Sequence, residues 1–244
     1  MKAMILAAGW GSRLGELTKH TPKCLIDVGG KPMLQHILER LKAAGVTSVV
    51  INLFHLGDQI RDFLARNSFG LEVAFSPEPE LLGTGGGIKH AKSLLTDAPF
   101  FIVHNSDVYS DLSLTELVAQ HQQTRALATL AVMDRPSNRP LVFDSSGRLC
   151  GWENVERGTG EVFGSDPMPM QLAFSGIQVV SRDIFNYMED EQGEFSSITV
   201  YLKAAQARQK IQAYRMDSAY WLDMGTPSKL AELRQLLGPS GELV

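Results

Sequence analysis

The chain has 244 residues, of which 44% are hydrophobic and 20% are charged, a composition typical of globular proteins and unlike that of disordered chains. Its net charge of −4 argues against a nucleic-acid partner, because nucleic-acid-binding surfaces are usually basic. The apolar N-terminal stretch is too short for a secretory signal, and no segment approaches the roughly 18 apolar residues of a membrane span. Cys24 and Cys150 lie far apart and fit no metal-binding pattern, so a disulfide framework is not expected and a reducing compartment fits best. Together these features predict a soluble, cytoplasmic protein with no membrane partner.

The first half of the sequence alternates apolar strands with amphipathic helices. In chain order we predict a strand at 3–8, a helix at 31–44, a strand at 48–52, a helix at 57–66, a strand at 71–75, a helix at 87–95 and a strand at 100–104. In the first helix, Leu34, Ile37 and Leu38 share one face, and Gly45 ends the helix. This alternation predicts a Rossmann-like, doubly wound α/β fold whose mixed, mainly parallel sheet binds ligands beyond the carboxyl ends of its strands.

The second half is less regular. We predict strands at 126–133, 141–144, 148–152 and 172–180, a hairpin turn at 145–147, a surface loop at 157–169, and helices at 183–189 and 196–208. A final helix follows 220–223, with Thr226 as its N-cap and Pro227 at its first position. We therefore expect one domain over 1–244 with a small antiparallel insertion.

A glycine-containing loop follows the first predicted strand, Gly9-Trp10-Gly11-Ser12-Arg13-Leu14. A dinucleotide fingerprint needs glycine where Leu14 stands, and a P-loop needs Gly-Lys-Ser/Thr, so neither motif is present. The absence of the fingerprint disfavours a Rossmann-type dehydrogenase. A tight turn is the simplest interpretation of an isolated Gly-x-Gly. However, Arg13 and Lys23 add two cations that could bind one polyphosphate.

At these residues the chain resembles the sugar-1-phosphate nucleotidyltransferases, whose opening pattern is Gly-x-Gly-x-Arg-Leu followed by Pro-Lys-x-Leu. The resemblance extends over essentially the whole chain and rests on residues 9–14, Pro22-Lys23-Cys24-Leu25, Leu82-Gly83-Thr84-Gly85-Gly86-Gly87-Ile88, Asn105-Ser106-Asp107 and Trp221-Leu222-Asp223-Met224-Gly225-Thr226. It is strongest with short single-domain enzymes that transfer a uridylyl group to N-acetylmuramate 1-phosphate for cell-wall metabolism. The resemblance implies the nucleotide-diphospho-sugar transferase fold, with a nucleotide-binding half at about 1–110 and a sugar-phosphate-binding half at about 111–244.

The resemblance also implies a reaction and a role for each motif. A nucleoside triphosphate and a sugar 1-phosphate would give a nucleotide-sugar and pyrophosphate with Mg²⁺ as cofactor, UTP and N-acetylmuramate 1-phosphate being favoured over GTP and mannose or heptose 1-phosphate. The implied catalytic residues are Arg13, Lys23 and Asp107. The implied metal ligands are Asp107 and Asp223. The implied nucleotide-binding residues are Ala7, Ala8, Gly9, Gly11, Ser12, Gly83, Thr84, Gly85 and Gly86. The implied sugar-phosphate-binding residues are Asn105, Glu153, Asn154, Ser175 and Gly176.

One position departs from the family pattern. Where the family usually reads Glu-Lys-Pro, with a lysine that holds the sugar phosphate, this chain reads Glu153-Asn154-Val155. Another residue must take that role, and Arg139 and Arg157 are the candidates that the sequence offers.

The chemistry requires little more than charge and position. A phosphate monoester is largely ionised near neutral pH, with a second pKa of about 6, so no serine, cysteine or histidine nucleophile is needed. The barrier lies in bringing two polyanions together, which orientation and preorganised charge can lower. A non-catalytic nucleotide-sugar sensor is the alternative class, but the full set of Arg13, Lys23, Asp107 and Asp223 favours an enzyme, acting as a monomer or homodimer.

Overall fold

The computed structural model of the chain describes residues 1–164 and 166–238. Its strands are β1 (Lys2–Leu6), β2 (Asp27–Val28), β3 (Lys31–Pro32), β4 (Ser48–Leu53), β5 (Glu72–Pro77), β6 (Phe100–Asn105), β7 (Val108–Ser110), β8 (Ala128–Met133), β9 (Leu141–Phe143), β10 (Leu149–Asn154), β11 (Thr159–Val162), β12 (Met170–Ser181), β13 (Ile211–Arg215) and β14 (Trp221–Asp223). Its α-helices are α1 (Leu17–His20), α2 (Met33–Ala43), α3 (Gly57–Arg66), α4 (Gly83–His90), α5 (Lys92–Leu95), α6 (Leu114–Thr124), α7 (Ser197–Gln206) and α8 (Pro227–Leu237). Short 3-10 turns span Ser12–Leu14, Lys23–Leu25 and Arg182–Tyr187.

One ten-stranded sheet includes strands from both halves of the chain. Its strand order is β11-β10-β9-β12-β6-β1-β4-β5, with β8 pairing with β12 and β13 pairing with β8. Strands β6, β1, β4 and β5 run parallel to one another. Strand β12 is antiparallel to β6, β8 and β9, and β9, β10 and β11 continue the antiparallel part. The predicted mixed α/β fold with an antiparallel insertion is confirmed.

Both faces of the sheet are buried. Successive side chains of a strand point to opposite faces, and in β1 Ala3 and Ile5 belong to one hydrophobic cluster whereas Met4 belongs to the other. The amphipathic face of α2 covers the first cluster, and α7 contributes Val200 and Tyr201 to the second. Because helices cover both faces, the inner strands are continuous apolar runs, which explains why their positions were predicted well.

The carboxyl ends of the parallel strands meet at one edge of the sheet. Leu6 at the end of β1 is paired with Asn105 at the end of β6, and β4 lies on the other side of β1. A separate two-stranded sheet stands beside this edge, where β7 and β14 pair antiparallel with Asp223 opposite Val108. The topology thus places the glycine loop after β1, the end of β6 and the β14 strand next to one another.

Several sequence predictions are corrected by the structure. The predicted loop at 157–169 is wrong in part, because Thr159–Val162 form β11 along β10. The predicted helix at 87–95 starts earlier, at Gly83, and is interrupted at Ala91. The predicted helix at 31–44 starts later, because Lys31–Pro32 pair with β2 before Met33 begins the helix. The segment at 183–189 is a 3-10 turn over Arg182–Tyr187.

Five elements, α1, β2, β7, α6 and β13, have no counterpart among the sequence predictions. The end of the described chain agrees with the prediction, since the Thr226 hydroxyl accepts a hydrogen bond from the Lys229 N–H and Pro227 opens α8. Across residues 1–164 and 166–238, no helix combines the length and hydrophobicity that crossing a membrane would require.

Candidate active site

A cleft of about 280 Å³ opens at the carboxyl edge of β1, β4 and β6. Ten of the residues singled out from the sequence line it, namely Ala8, Gly9, Gly11, Ser12, Arg13, Lys23, Gly83, Thr84, Asn105 and Asp107. Five more residues complete the lining: Ser106 and Gly225 belong to motifs named from the sequence but were given no role, whereas Leu6, Asn52 and Leu81 were missed. Motifs that are up to about two hundred positions apart in the sequence therefore meet around one cavity.

The glycine loop after β1 needs glycine at position 11. Gly11 has a φ of +66°, and a Cβ added to it would lie 2.8 Å from the Thr18 side chain. The Thr18 hydroxyl donates a hydrogen bond of 3.0 Å to the Gly11 carbonyl and so fixes the turn. This turn leads directly into the 3-10 turn that carries Arg13.

Asn52 supports the same loop from beneath. Its side-chain oxygen accepts a hydrogen bond of 2.6 Å from the Ala7 N–H, and its amide nitrogen donates one of 2.6 Å to Glu78. Both partners are buried, so each of these polar groups depends on the other for a hydrogen bond. Asn52 lies at the carboxyl end of a predicted parallel strand, and the rule that ligands bind there could have identified it.

The second glycine-rich segment forms the opposite wall through the start of α4. Gly83 and Thr84 line the cleft, and Thr84 accepts a hydrogen bond of 2.9 Å from the Ser197 N–H at the start of α7. Gly85 and Gly86 are buried instead, and a Cβ on Gly85 would lie 2.5 Å from the Phe195 ring. Glycine at these two positions lets α4 pack closely against the chain that precedes α7.

The two aspartates predicted to bind metal lie on the neighbouring strands at the edge of the cleft. Asp107 immediately precedes β7, and Asp223 ends β14. The Met224 N–H donates a hydrogen bond of 2.9 Å to the Asp107 carbonyl, which ties the backbones of the two strands together here. The chain thus brings together the backbones of two aspartates that are far apart in the sequence.

Cations surround these carboxylates. Lys23 is ion-paired with Asp107, and Lys229 of α8 is ion-paired with Asp223. Arg13 lies close to Asp223 as well. A Cβ added to Gly225 would lie 2.8 Å from the Arg13 Nη2 and 2.6 Å from the Asp223 Oδ1. A side chain at position 225 would therefore separate them, which explains the glycine.

The local charges determine the ionisation of Asp223. Burial by itself would raise the pKa of Asp223. The hydrogen bond and charge of Lys229, the Gly225 N–H and the charge of Lys23 outweigh burial and bring the pKa below its usual value. Asp223 is therefore ionised near neutral pH, as a metal ligand must be.

The donor set fits magnesium better than zinc. Within the two described stretches of the chain, no group of three or more histidine, cysteine, aspartate or glutamate side chains is arranged to hold a metal ion. Structural and catalytic zinc sites need such a group. Mg²⁺, in contrast, is commonly bound through one or two carboxylates, with substrate phosphates and water as its other ligands. Asp107 and Asp223 supply that number.

The residues predicted for the sugar phosphate separate into two groups. Asn105 and Gly176 touch, because a Cβ on Gly176 would lie 2.7 Å from the Asn105 side-chain nitrogen. Ser175 is next to them, but its hydroxyl is buried and donates to the Ala131 carbonyl at 2.7 Å. Asn105 lines the cleft, whereas Gly176 and Ser175 do not.

Glu153 and Asn154 lie elsewhere and line a different cavity, of about 530 Å³, beside the β10–β11 hairpin. The Asn154 side chain is buried and accepts a hydrogen bond of 3.0 Å from the Arg157 N–H, so it stabilises the hairpin turn. Glu153 accepts a hydrogen bond of 2.6 Å from Gln171. The two residues carried over from the family's Glu-Lys-Pro segment thus have structural partners away from the main cleft.

Comparison with known proteins gives consistent results. A family model described as nucleotidyl transferase matches residues 2–143. An N-acetylmuramate alpha-1-phosphate uridylyltransferase of Neisseria meningitidis is 37% identical over 98% of this chain and 99% of its own length. A mannose-1-phosphate guanyltransferase of Yarrowia lipolytica is 30% identical over 93% of this chain, which spans 61% of that relative. Among solved structures, HddC from Yersinia pseudotuberculosis superposes with a TM-score of 0.75 at 25% identity, covering 96% of this chain and 98% of that one.

Proposed function

Because the chain belongs to the nucleotidyl transferase family, it is a sugar-1-phosphate nucleotidyltransferase, and we propose that it joins UTP to N-acetylmuramate 1-phosphate with Mg²⁺ as cofactor. The uridylyltransferase relative supports this choice, since the similarity extends over nearly the full length of both chains.

One observation carries the mechanism: Asp107, Arg13 and Lys23 line one cleft at the carboxyl edge of the sheet, and the Asp223–Lys229 ion pair lies next to its lining residue Gly225. The α-phosphorus of the triphosphate must be attacked in line with the departing pyrophosphate. Asp107 and Asp223 would hold Mg²⁺, which neutralises phosphate charge when bound. Arg13 and Lys23 bind the triphosphate oxygens and stabilise the negative charge that develops on pyrophosphate.

The remaining cleft residues position the nucleotide. The backbone of Gly9 and Gly11 can approach the phosphates closely because no side chain intervenes. Gly83 and Thr84, on the opposite wall, are placed to contact the nucleoside. The nucleotide would then occupy the half of the protein formed by about 1–110, and the sugar phosphate would enter from the half formed by about 111–244.

A second substrate pair has specific support. Two mannose-1-phosphate guanylyltransferase relatives match 93% and 98% of this chain, although the chain spans only 61% and 65% of their length. GTP with mannose or heptose 1-phosphate is therefore the alternative. A cytoplasmic location and activity as a monomer or homodimer, without nucleic-acid or membrane partners, belong to the same proposal.

The test is a matrix of nucleoside triphosphates against sugar 1-phosphates, with pyrophosphate release as the readout and EDTA in a parallel series. We expect the highest kcat/KM for UTP with N-acetylmuramate 1-phosphate and loss of turnover in EDTA. A higher value for GTP with mannose or heptose 1-phosphate would replace the first substrate pair by the second. If no pair turned over while a nucleotide-sugar still bound, the protein would instead be a non-catalytic sensor.

A further inference from the structure

The cleft needs a cation for its second anionic substrate. The phosphate of a sugar 1-phosphate carries close to two negative charges near neutral pH. The family's lysine for this phosphate is replaced by Asn154, whose side chain is buried in a hairpin turn. Arg13 and Lys23 are assigned to the triphosphate, so the sugar phosphate requires a cation from another part of the chain.

The two replacements suggested by the sequence are poorly placed. Arg157 is exposed in the β10–β11 turn, beside the cavity that contains Glu153 and Asn154. Arg139 is exposed as well and lines another cavity, together with Trp152 and residues of α7. Neither arginine lines the main cleft, and Arg135 does not line it either, so the three arginines are distinguished by the residues that they contact.

Arg135, in the loop after β8, occupies a more suitable position. Its guanidinium carbon lies 3.9 Å from the centre of the Trp221 ring, and its Nη2 donates a hydrogen bond of 3.0 Å to the Phe174 carbonyl. The Trp221 indole nitrogen in turn donates one of 2.7 Å to the adjacent Ser175 carbonyl. The stacked pair is therefore fixed to the segment of β12 that leads into Gly176.

This anchoring places Arg135 next to two segments that border the reaction site, one in β12 and one in β14. Gly176 lies against Asn105 of the main cleft. Trp221 is two residues before Asp223, the predicted metal ligand, on the same strand.

The guanidinium has unused capacity for hydrogen bonding. An arginine offers five N–H donors, yet the Arg135 Nε is buried and has no hydrogen-bond partner among residues 1–164 and 166–238. A donor removed from water without a partner is costly unless a ligand or a small rotation satisfies it. Because the Arg135 side chain as a whole is only partly buried, a small rotation would let the guanidinium make forked contacts to a phosphate.

We propose that Arg135, stacked on Trp221, binds the phosphate of the incoming sugar 1-phosphate and so replaces the lysine that the chain lacks at position 154. The inference rests on the reaction proposed above. Lys229 lies 5.9 Å from the centre of the same Trp221 ring and is ion-paired with Asp223, so it adds positive charge on that side.

The test compares Arg135→Ala, Arg135→Gln and Arg135→Lys with the wild type, using the substrate pair of highest kcat/KM. The matched control is Arg66→Ala, because Arg66 is a largely exposed arginine of α3 whose nearest acid is Asp62 at 3.9 Å. We expect the alanine and glutamine variants to raise the KM for the sugar 1-phosphate at least about tenfold, as loss of a charged contact to phosphate typically does. The KM for the nucleoside triphosphate should change less than about threefold, and Lys should restore part of the loss because it keeps the charge but not the fork.

Binding provides a readout that does not depend on turnover. With a non-hydrolysable triphosphate analogue bound, titration of the sugar 1-phosphate should change tryptophan fluorescence in the wild type and in Arg66→Ala, and should require at least about tenfold more ligand in Arg135→Gln. Thermal unfolding of each variant identifies any that has lost its fold, and Arg135→Lys then supplies the comparison.

The possible outcomes separate this inference from the proposed function. Wild-type protein that is silent with every substrate pair would remove the proposed function and this inference with it. Active wild type with unchanged KM for the sugar 1-phosphate in all folded Arg135 variants would overturn this inference alone. The same holds if Arg139→Ala or Arg157→Ala caused the larger loss, or if the Arg135 variants raised both KM values equally.

Discussion

The contact between Gly176 and Asn105 gives a prediction whose size can be worked out from the structure. Gly176 has a φ of +80° and sits where the pairing of β12 with β8 changes register. A Cβ there would lie 2.7 Å from the nitrogen and 3.0 Å from the carbon of the Asn105 amide group. Gly176→Ala therefore adds backbone strain and pushes against a side chain that lines the cleft.

The two contributions can be estimated separately. A non-glycine residue in the left-handed region costs about 1–2 kcal/mol, and forcing an extra methyl group into a packed site costs about 1–3 kcal/mol. Together they should lower the free energy of unfolding by about 3 kcal/mol, which for a chain of this size corresponds to a fall in Tm of about 6–12 °C. The displaced Asn105 should also raise the KM for the sugar 1-phosphate.

Other glycines in the chain provide matched controls for differential scanning calorimetry. Gly45 has a similar φ of +84° but nothing within 4 Å of its Cβ position, so Gly45→Ala should show the strain alone, about 1–2 kcal/mol. Gly9 has neither a positive φ nor a close neighbour, so Gly9→Ala should leave Tm nearly unchanged. Equal destabilisation by the Gly176 and Gly45 substitutions would refute the steric part of the reasoning, and an unchanged Tm in both would refute all of it.

Three further predictions concern charge, pH and the nucleotide loop. Asp107→Asn should lower kcat at least about a hundredfold, as loss of a preorganised charge contact does. The control variant Asp97→Asn, at the surface, should keep the wild-type kcat. An unchanged kcat in Asp107→Asn would contradict the metal assignment. Burial lowers the pKa of His121 from 6.5 to about 4, so the unfolded state binds the proton first as the pH falls below about 6.5. Between about pH 7 and pH 5 the wild type should therefore lose about 2 kcal/mol more stability than His121→Gln in urea unfolding, and parallel curves would contradict this. Asn52→Ala leaves the buried Ala7 N–H without its acceptor, which should cost about 1–3 kcal/mol of unfolding free energy and raise the KM for the nucleoside triphosphate; an unaltered urea midpoint would show that this support is not needed.

The sequence predicted the parallel part of the fold well, because buried strands and amphipathic helices leave strong local patterns. Helix α3 was predicted with its observed limits, Gly57–Arg66, and Thr226 was identified as the cap of the last helix. Strand β7 was missed because it has only three residues and its partner, β14, lies more than a hundred positions away. Short strands stabilised by distant partners have little local signal.

The same distinction applies to the candidate site. Arg13, Lys23 and Asp107 belong to motifs with fixed spacing, so the sequence alone was enough to assign them to one site, and all three line the cleft. The sugar side could not be assigned in that way, because the residue at the expected position is Asn154 and its side chain is engaged in a turn. No local pattern marks Arg135, whose position depends on stacking against a ring 86 residues further along the chain.

Strand β14 explains how one short segment can organise both substrates. Trp221 and Asp223 are two residues apart on this strand, and alternate residues of a strand point to the same side of the sheet. The indole is therefore held on the same side as the carboxylate that is predicted to bind metal, and in the proposed reaction a cation stacked on the indole would lie near the phosphates. Trp221→Leu should preserve the strand but remove the stacking surface, so it should weaken binding of the sugar 1-phosphate as much as Arg135→Gln does. If Trp221→Leu left that binding intact while Arg135→Gln abolished it, the guanidinium would be held by its hydrogen bond to the Phe174 carbonyl alone, and the ring would have no part in presenting the charge.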